Sequence, residues 1–196
     1  MQLLVLGDSI ARGDESTSHE QSFIGIVAGR LGAGTTYFCR GGATSATGVE
    51  WCEYVWTAPH ADLVIVSYGM NDQTLEGPRL RRRVRVEPDR YRRNIAGIVR
   101  GVREHGDVSL LLVAPPPAHP DWEGASGRTL EYLAALRELG EPVADVPSFW
   151  GDPRRLMANG KNHPGDEGHR LIAEACLAAL AGASMAELRE GHTAQA

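Results

Sequence analysis

The chain has 196 residues, 42% hydrophobic and 23% charged, with a formal net charge of −5 at pH 7. These values fit one soluble globular domain, and the acidic balance gives no reason to expect nucleic acid as the main partner. No stretch reaches the roughly 18 uninterrupted apolar residues that a membrane span requires. The first apolar run is too short for a signal peptide, and the three cysteines lack Cys-x-x-Cys spacing, so we expect a cytoplasmic protein.

Short apolar runs along the chain predict buried strands, with helical patterns between them. The strand candidates are Leu3–Leu6, Thr36–Cys39, Leu63–Ser67, Val108–Val113 and Pro142–Val146. Helical spacing begins near Ile24, Tyr91, Leu130 and Leu171, and glycines at 32 and 182 are expected to end the first and last of these helices. This alternation predicts an α/β fold, a mostly parallel sheet with helices on both faces. We expect one domain over residues 1–183 and a frayed tail over 184–196.

The first apolar run ends in Gly7-Asp8-Ser9. A serine at this point lies at the carboxyl edge of the sheet, where open α/β folds place their ligands. Its hydroxyl is a poor nucleophile without an adjacent base. His163 is the candidate base because imidazole titrates near neutrality, so the pair predicts nucleophilic catalysis.

Attack by a serine on an ester carbonyl creates an oxyanion, which fixed hydrogen-bond donors stabilise. The backbone N–H groups of Ser9 and of the glycine-rich loop around Gly42 are two candidate donors, and the side-chain amide of Asn71 is a third. Glycine at position 42 allows close approach of the backbone and a positive φ. We interpret the neighbouring Asp72 as structural, holding its loop.

The run His163, Asp166, Glu167 and His169 invites interpretation as a metal site. Its spacing matches neither His-Glu-x-x-His nor a cysteine-rich zinc site, so we expect no metal and no cofactor. Asp166 and Glu167 more simply favour the N-terminus of the last helix through its dipole.

Four blocks in fixed order carry a family resemblance: Gly7-Asp8-Ser9, Gly41-Gly42-Ala43-Thr44-Ser45, Gly69-Met70-Asn71-Asp72 and His163-Pro164. With them the chain resembles the SGNH hydrolases, the GDSL-type esterases and lipases. The resemblance implies a flavodoxin-like, three-layer α/β/α fold. It also implies Ser9 as nucleophile, His163 as base, and Ser9, Gly42 and Asn71 as the oxyanion hole.

The chain departs from the family pattern at Gly160, where the family usually has an aspartate three residues before the histidine. One hypothesis is a Ser–His dyad in which a backbone carbonyl, such as that of Gly160, receives the imidazole N–H. The other is that Asn159, Asp152 or Asp166 orients the imidazole from a shifted loop. The dyad is the favoured arrangement.

The resulting interpretation is a hydrolase that cleaves a small-molecule carboxylic ester, with short-acyl or soluble substrates favoured. An acyltransferase using the same acyl-enzyme and a non-catalytic binding module with a degenerate site are the alternatives. A nucleotide-binding fold is disfavoured because Gly-x-Gly-x-x-Gly and a Walker lysine are both missing. The arginine cluster Arg79–Arg85 lies in a predicted loop just after the Asn71 block and is either a solvated surface or a rim that binds an anionic part of the substrate.

Overall fold

The fold is built on a parallel sheet of five strands within the part of the chain that the structure describes. The computed structural model describes residues 1–55, 61–106 and 108–193, except for the side chains of 53–55 and 183–193. The strands are β1 (Gln2–Gly7), β2 (Gly34–Cys39), β3 (Leu63–Ser67), β4 (Leu75–Glu76), β5 (Arg83–Val84), β6 (Ser109–Val113) and β7 (Val143–Ala144). The sheet order is β2-β1-β3-β6-β7, and β4 and β5 form a separate antiparallel hairpin.

Helices connect the strands and cover both faces of the sheet. They are α1 (Ser9–Arg12), α2 (Phe23–Leu31), α3 (Ser45–Val55), α4 (Pro88–Glu104), α5 (Thr129–Arg137), α6 (Val146–Phe149), α7 (Pro153–Leu156) and α8 (Asp166–Thr193). Along β1, Leu3 and Val5 pack in one core with α2 and α8, whereas Leu4 and Leu6 pack in the other with α4 and α5. The strand is therefore apolar throughout because both of its faces are covered.

The sheet order fixes where a ligand can approach. Strand β2 lies on one side of β1, and the later strands β3, β6 and β7 lie in that order on the other side. The direction in which strands are added therefore reverses between β1 and β3. In open α/β sheets this switch point leaves a crevice outside the carboxyl ends of the two strands. Ser9 follows β1 and Asn71 follows β3, so both residues lie at this crevice.

The predicted three-layer α/β/α fold is confirmed, although two of the predicted segments differ locally. The last helix continues through Gly182 to Thr193. One glycine costs a helix only about 1 kcal/mol, and the alanines, glutamates and leucine that follow are helix formers. The Arg79–Arg85 segment, predicted as a loop, contains β5 and one turn of 3-10 helix. The predicted domain boundary at 183/184 stays a prediction, and 194–196 lie outside the described residues.

Every helix in the described part of the chain is too short or too polar to cross a membrane.

Candidate active site

A serine hydroxyl and an imidazole meet at the switch point of the sheet. Ser9 Oγ lies 2.8 Å from Nε2 of His163, although 154 positions separate the two residues. Ser9 is buried and His163 is half-buried. Desolvation lowers the pKa of His163, while the charges of Asp14 and Glu15 partly oppose that shift. The geometry is that of a hydroxyl within reach of a neutral base.

The turn between β1 and α1 fixes the position of Ser9. Oδ1 of Asp8 accepts a hydrogen bond from Ile10 N at 2.9 Å and so caps the short helix. A Cβ at Gly7 would lie 2.4 Å from Ala11 Cβ and 2.8 Å from the Ser67 carbonyl oxygen. Glycine is therefore required at position 7, because α1 turns back directly over the ends of β1 and β3.

His163 lies in the loop between α7 and α8, which is held at both ends by backbone hydrogen bonds. Ala158 N donates to the His163 carbonyl at 2.9 Å, and Gly165 N donates to the Leu156 carbonyl at the same distance. Met157 and Pro164 form an antiparallel bridge between these two bonds. The imidazole therefore projects from a short paired segment, although no strand was predicted there.

The ring nitrogen of His163 that faces away from Ser9 contacts a side-chain amide. Nδ1 lies 2.9 Å from Nδ2 of Asn159. The favoured expectation, the Gly160 carbonyl as partner of Nδ1, is not what the structure shows. The partner of Nδ1 is instead the side chain of Asn159, whose Oδ1 also accepts a hydrogen bond from His163 N. Gly160 itself donates its N–H to the Met157 carbonyl.

The two aspartates considered as alternative partners of His163 bind elsewhere. Asp152 caps α7 by accepting a hydrogen bond from Arg154 N at 3.0 Å. Asp166 accepts from both the backbone N–H and the hydroxyl of Thr17 at 2.8 and 2.7 Å. Both carboxylates are engaged by these donors, so neither is turned toward the imidazole.

The backbone N–H groups of Ser9 and Gly42 are open, in the sense that neither donates to an acceptor among the described residues. Gly42 has φ +75°, and a Cβ there would meet nothing within 4 Å, so the positive φ and not crowding demands glycine. The side-chain amide of Asn71, the third predicted oxyanion donor, already has acceptors within the protein. Its Nδ2 donates to the Ala43 carbonyl at 3.0 Å and to Asp8 Oδ2 at 3.2 Å.

Asp8 is the site residue whose side chain had no predicted part in the site. It is buried, caps α1 with one oxygen and accepts from Asn71 with the other. Burial raises the pKa of its carboxyl to about 7, despite the opposing hydrogen bond from Ile10 N. The only sequence signal was its position between Gly7 and Ser9, which does not reveal burial.

Asp8 should make the stability of the protein depend on pH. Its folded pKa of about 7 exceeds the unfolded value of about 4, so the folded protein binds this proton more tightly. The contribution of Asp8 to the free energy of unfolding is therefore full below about pH 4 and is lost as the pH rises through about 7. Asp8→Asn removes this titration, so its unfolding free energy should fall less steeply between about pH 4 and pH 7 than that of the wild type.

Urea unfolding at a series of pH values, followed by circular dichroism, measures both curves. His163 and His169 have lowered pKa values and act in the opposite direction, but they are common to both proteins and cancel in the comparison. Parallel curves for the wild type and Asp8→Asn would show that Asp8 does not titrate in this range.

Asp72 holds its loop, as predicted. Both of its carboxylate oxygens lie 3.1 Å from Ser45 N, and Oδ1 also accepts from the Ser45 hydroxyl at 2.5 Å. The side chain is fully buried, and its backbone carbonyl accepts from Val86 N. Asp72 therefore joins the Asn71 loop to the start of α3 and to the Gly42 loop that precedes it.

His169 is structural. It is fully buried, its Nδ1 accepts from Phe23 N at 3.3 Å, and its Nε2 lies 3.3 Å from the Asp14 carbonyl. It thereby ties α8 to α2 and to the segment that follows α1. Among the described residues, no group of three or more His, Cys, Asp and Glu is placed to hold a metal ion.

The arginine cluster Arg79–Arg85 is partly neutralised. Arg82 pairs with Glu123 at 2.6 Å and Arg85 with Glu76 at 3.0 Å. Arg85 also donates to the Gly42 carbonyl at 3.3 Å, which places one arginine of the cluster directly against the loop beside Ser9. Its part in substrate binding stays a prediction.

Comparisons with known proteins agree with this fold. The sequence model of the GDSL-like lipase/acylhydrolase family matches residues 5–171. A lipolytic protein of the G-D-S-L family from Veillonella parvula superimposes with a TM-score of 0.70 at 18% identity, covering 90% of this chain and 96% of that one. A comparison with curated protein sequences gave no match.

Two further solved structures share the fold. The lipase Lip_vut3 from a goat rumen metagenome has a TM-score of 0.72 at 17% identity, covering 91% of this chain and 97% of that one. A carbohydrate acetylesterase family member from Sinorhizobium meliloti has a TM-score of 0.68 at 18% identity, covering 89% and 94%.

A flavodoxin-like sheet with a serine and a histidine paired at its switch point is the architecture of the SGNH hydrolases. The chain belongs to the GDSL-like lipase/acylhydrolase family, whose sequence model spans all four sequence blocks. It is therefore a hydrolase of the lipolytic and esterase type.

Proposed function

We propose that the chain hydrolyses carboxylic esters through an acyl-enzyme on Ser9, with His163 as general base. The 2.8 Å contact between Ser9 Oγ and His163 Nε2 is the observation that carries this proposal. The depressed pKa of His163 supports it, because a base must be unprotonated at neutral pH to accept the serine proton.

The reaction has two balanced halves. Ser9 Oγ attacks the ester carbonyl as its proton passes to Nε2 of His163, and the same proton then leaves with the departing alcohol. Water next gives a proton to Nε2 and attacks the acyl-serine carbonyl. Release of the acid returns the proton to Ser9 and restores the starting site.

The oxyanion formed in both halves would bind to the open N–H groups of Ser9 and Gly42. These donors are fixed by the turn after β1 and by the Asp72–Ser45 contact, so they need no rearrangement when charge develops. The Asn71 amide would join them by sharing the N–H that it now donates to Asp8 Oδ2 at 3.2 Å, the longer of its two hydrogen bonds.

The acyl chain of the substrate would extend into a cavity of about 570 Å³, which two segments of the chain connect to the site. Gln73, two residues after Asn71, forms part of its wall, and a proline-rich segment that includes Pro117 and Ala118 forms much of the rest. His119 N donates to the Lys161 carbonyl at 2.7 Å, which joins this segment to the loop that carries His163. The volume and apolar lining suit a short acyl chain.

A panel of esters with varied acyl length and alcohol tests the function, with products analysed in the presence and absence of an added alcohol acceptor. We expect free acid as the main product and a preference for short acyl chains. A product dominated by the ester of the acceptor would make the protein an acyltransferase. Failure to cleave any ester in the panel would contradict the proposed function.

Narrowing the cavity tests the assignment of the acyl pocket. Ala118→Leu adds three carbons to the wall, so we expect kcat/KM for the longest accepted acyl chain to fall about tenfold or more while acetyl esters are little affected. Ala179→Leu is the matched control, because it makes the same change in a different cavity lined by the first residues of β6, at the opposite edge of the sheet. Equal chain-length profiles for the two variants would place the acyl group elsewhere.

A further inference from the structure

The two ends of the Asn159 side-chain amide have different partners. Oδ1 accepts hydrogen bonds from three successive backbone N–H groups, those of Lys161, Asn162 and His163, at 2.9, 3.0 and 3.1 Å. Only the carbonyl end of a carboxamide can accept, so these three donors determine which end is oxygen. The NH₂ end therefore faces the imidazole, with Nδ2 at 2.9 Å from His163 Nδ1 and 3.3 Å from Asn162 Oδ1.

This orientation determines which nitrogen of His163 carries the proton. An amide NH₂ donates and does not accept, so Nδ1 of the neutral imidazole must present its lone pair to Asn159. The proton of neutral His163 then lies on Nε2 and points toward Ser9 Oγ at 2.8 Å. A general base needs the opposite arrangement, with the lone pair on Nε2.

The contact with Asn159 at Nδ1 also disfavours the charged form of His163. An imidazolium carries a proton on Nδ1, which would then face the N–H groups of Asn159. Asp14 and Glu15 act on His163 by charge alone, and Asp14 is already paired with Arg12 through two hydrogen bonds of 2.8 and 2.7 Å. The Asn159 amide cannot simply turn over, because three backbone donors would lose their acceptor.

We propose that Asn159 is a positioning residue that holds resting His163 in the tautomer protonated on Nε2, and so keeps the site at low activity. This inference rests on the proposed function of the Ser9–His163 pair. Turnover requires the proton to move through solvent from Nε2 to Nδ1, against the preference imposed by Asn159. A carboxylate at position 159 accepts from the same three backbone donors and from Nδ1–H, and so removes this barrier.

The variant Asn159→Asp tests the proposal through kinetics. Exchanging the triad carboxylate of a serine protease for an amide lowers kcat by about 10⁴-fold, so the reverse exchange should raise kcat by about 10²-fold or more. KM should change little, because Asn159 contacts the ring nitrogen of His163 that faces away from Ser9. The apparent pKa of the acidic limb of kcat/KM should rise, since a carboxylate beside Nδ1 stabilises the imidazolium.

Asn162→Asp is the matched control. It places the same charge in the same loop, yet the side chain of residue 162 contacts Asn159 Nδ2, so it reinforces the present orientation of the amide. We expect its kcat to stay within about twofold of the wild type. A kcat of Asn159→Asp that is unchanged or lower, in a variant with wild-type circular dichroism and thermal unfolding, would overturn the proposal, as would an equal gain in both variants.

The ring nitrogens of His163 provide a test that does not depend on turnover. In ¹⁵N-labelled wild type at a pH above the His163 titration, we expect a protonated Nε2 and an unprotonated Nδ1, assigned by the signals that disappear in His163→Gln. In Asn159→Asp the proton should lie on Nδ1. A proton on Nδ1 in the wild type would refute the tautomer assignment. If the spectra are as expected but neither protein has esterase activity, the tautomer assignment stands and the proposed function is refuted.

Discussion

Replacing Ser9 by alanine is expected to abolish ester hydrolysis and covalent labelling. Ser9 Oγ is the hydroxyl in contact with His163 Nε2, and its loss removes the atom that would carry the acyl group. Removing the nucleophile of a serine hydrolase lowers kcat by about 10⁶-fold, so we expect activity to fall to or near the detection limit. A fluorophosphonate should add one mass equivalent to the wild type and none to Ser9→Ala, as read by intact mass spectrometry.

Ser22→Ala is the appropriate control for this experiment. Ser22 is also a buried serine at a helix start, where it caps α2 by accepting from Gly25 N at 3.1 Å. Its loss should cost about 1 kcal/mol of stability and leave labelling intact. Label found on another residue, or activity retained by Ser9→Ala, would contradict Ser9 as the nucleophile. Labelling of the wild type without turnover of any ester would show an activated serine and would contradict ester hydrolysis as its function.

Replacing Asp72 by alanine is expected to have the largest effect on stability. The fully buried carboxylate accepts from both the N–H and the hydroxyl of Ser45, and burial raises its pKa to about 6 against the opposing Ser45 hydrogen bonds. Its removal leaves two buried donors without this acceptor, each at a cost of about 1–3 kcal/mol, so we expect a loss of about 3 kcal/mol. Urea unfolding at constant pH measures the difference.

The Asp72 variant should also lose activity where it remains folded, because the Asn71 loop and the Gly42 loop are joined through Ser45. Asp72→Asn keeps the shape and one acceptor oxygen, so its loss of stability should be less than half as large. If Asp72→Ala lowers the free energy of unfolding by less than about 1 kcal/mol, another group has replaced the carboxylate. That group would be water or a rearranged Asn94, which donates to Ser45 Oγ at 2.9 Å.

The order of elements could be predicted because it depends on local patterns. The apolar run Leu63–Ser67 has the same bounds as β3, and Gly32 ends α2 as its αL cap. Helix α3 was missed because Ser45–Val55 mixes polar, aromatic and small residues without a clear apolar stripe. Its N-terminus is instead held by Asp72, a contact between residues 27 positions apart that no local pattern reveals.

In the candidate site, too, some features follow from the sequence and others only from the tertiary structure. The amino-acid sequence by itself determined which residue types are present and in what order, and so placed Ser9, Gly42, Asn71 and His163 in one family pattern. The tertiary structure alone decided their partners: Asn71 bound to Asp8, Asp166 bound to Thr17, and Asn159 turned toward His163. Residue identities and spacing are properties of the chain, whereas the direction of an amide or carboxylate depends on which donors the folded loops bring to it. For this protein that direction decides on which nitrogen His163 carries its proton.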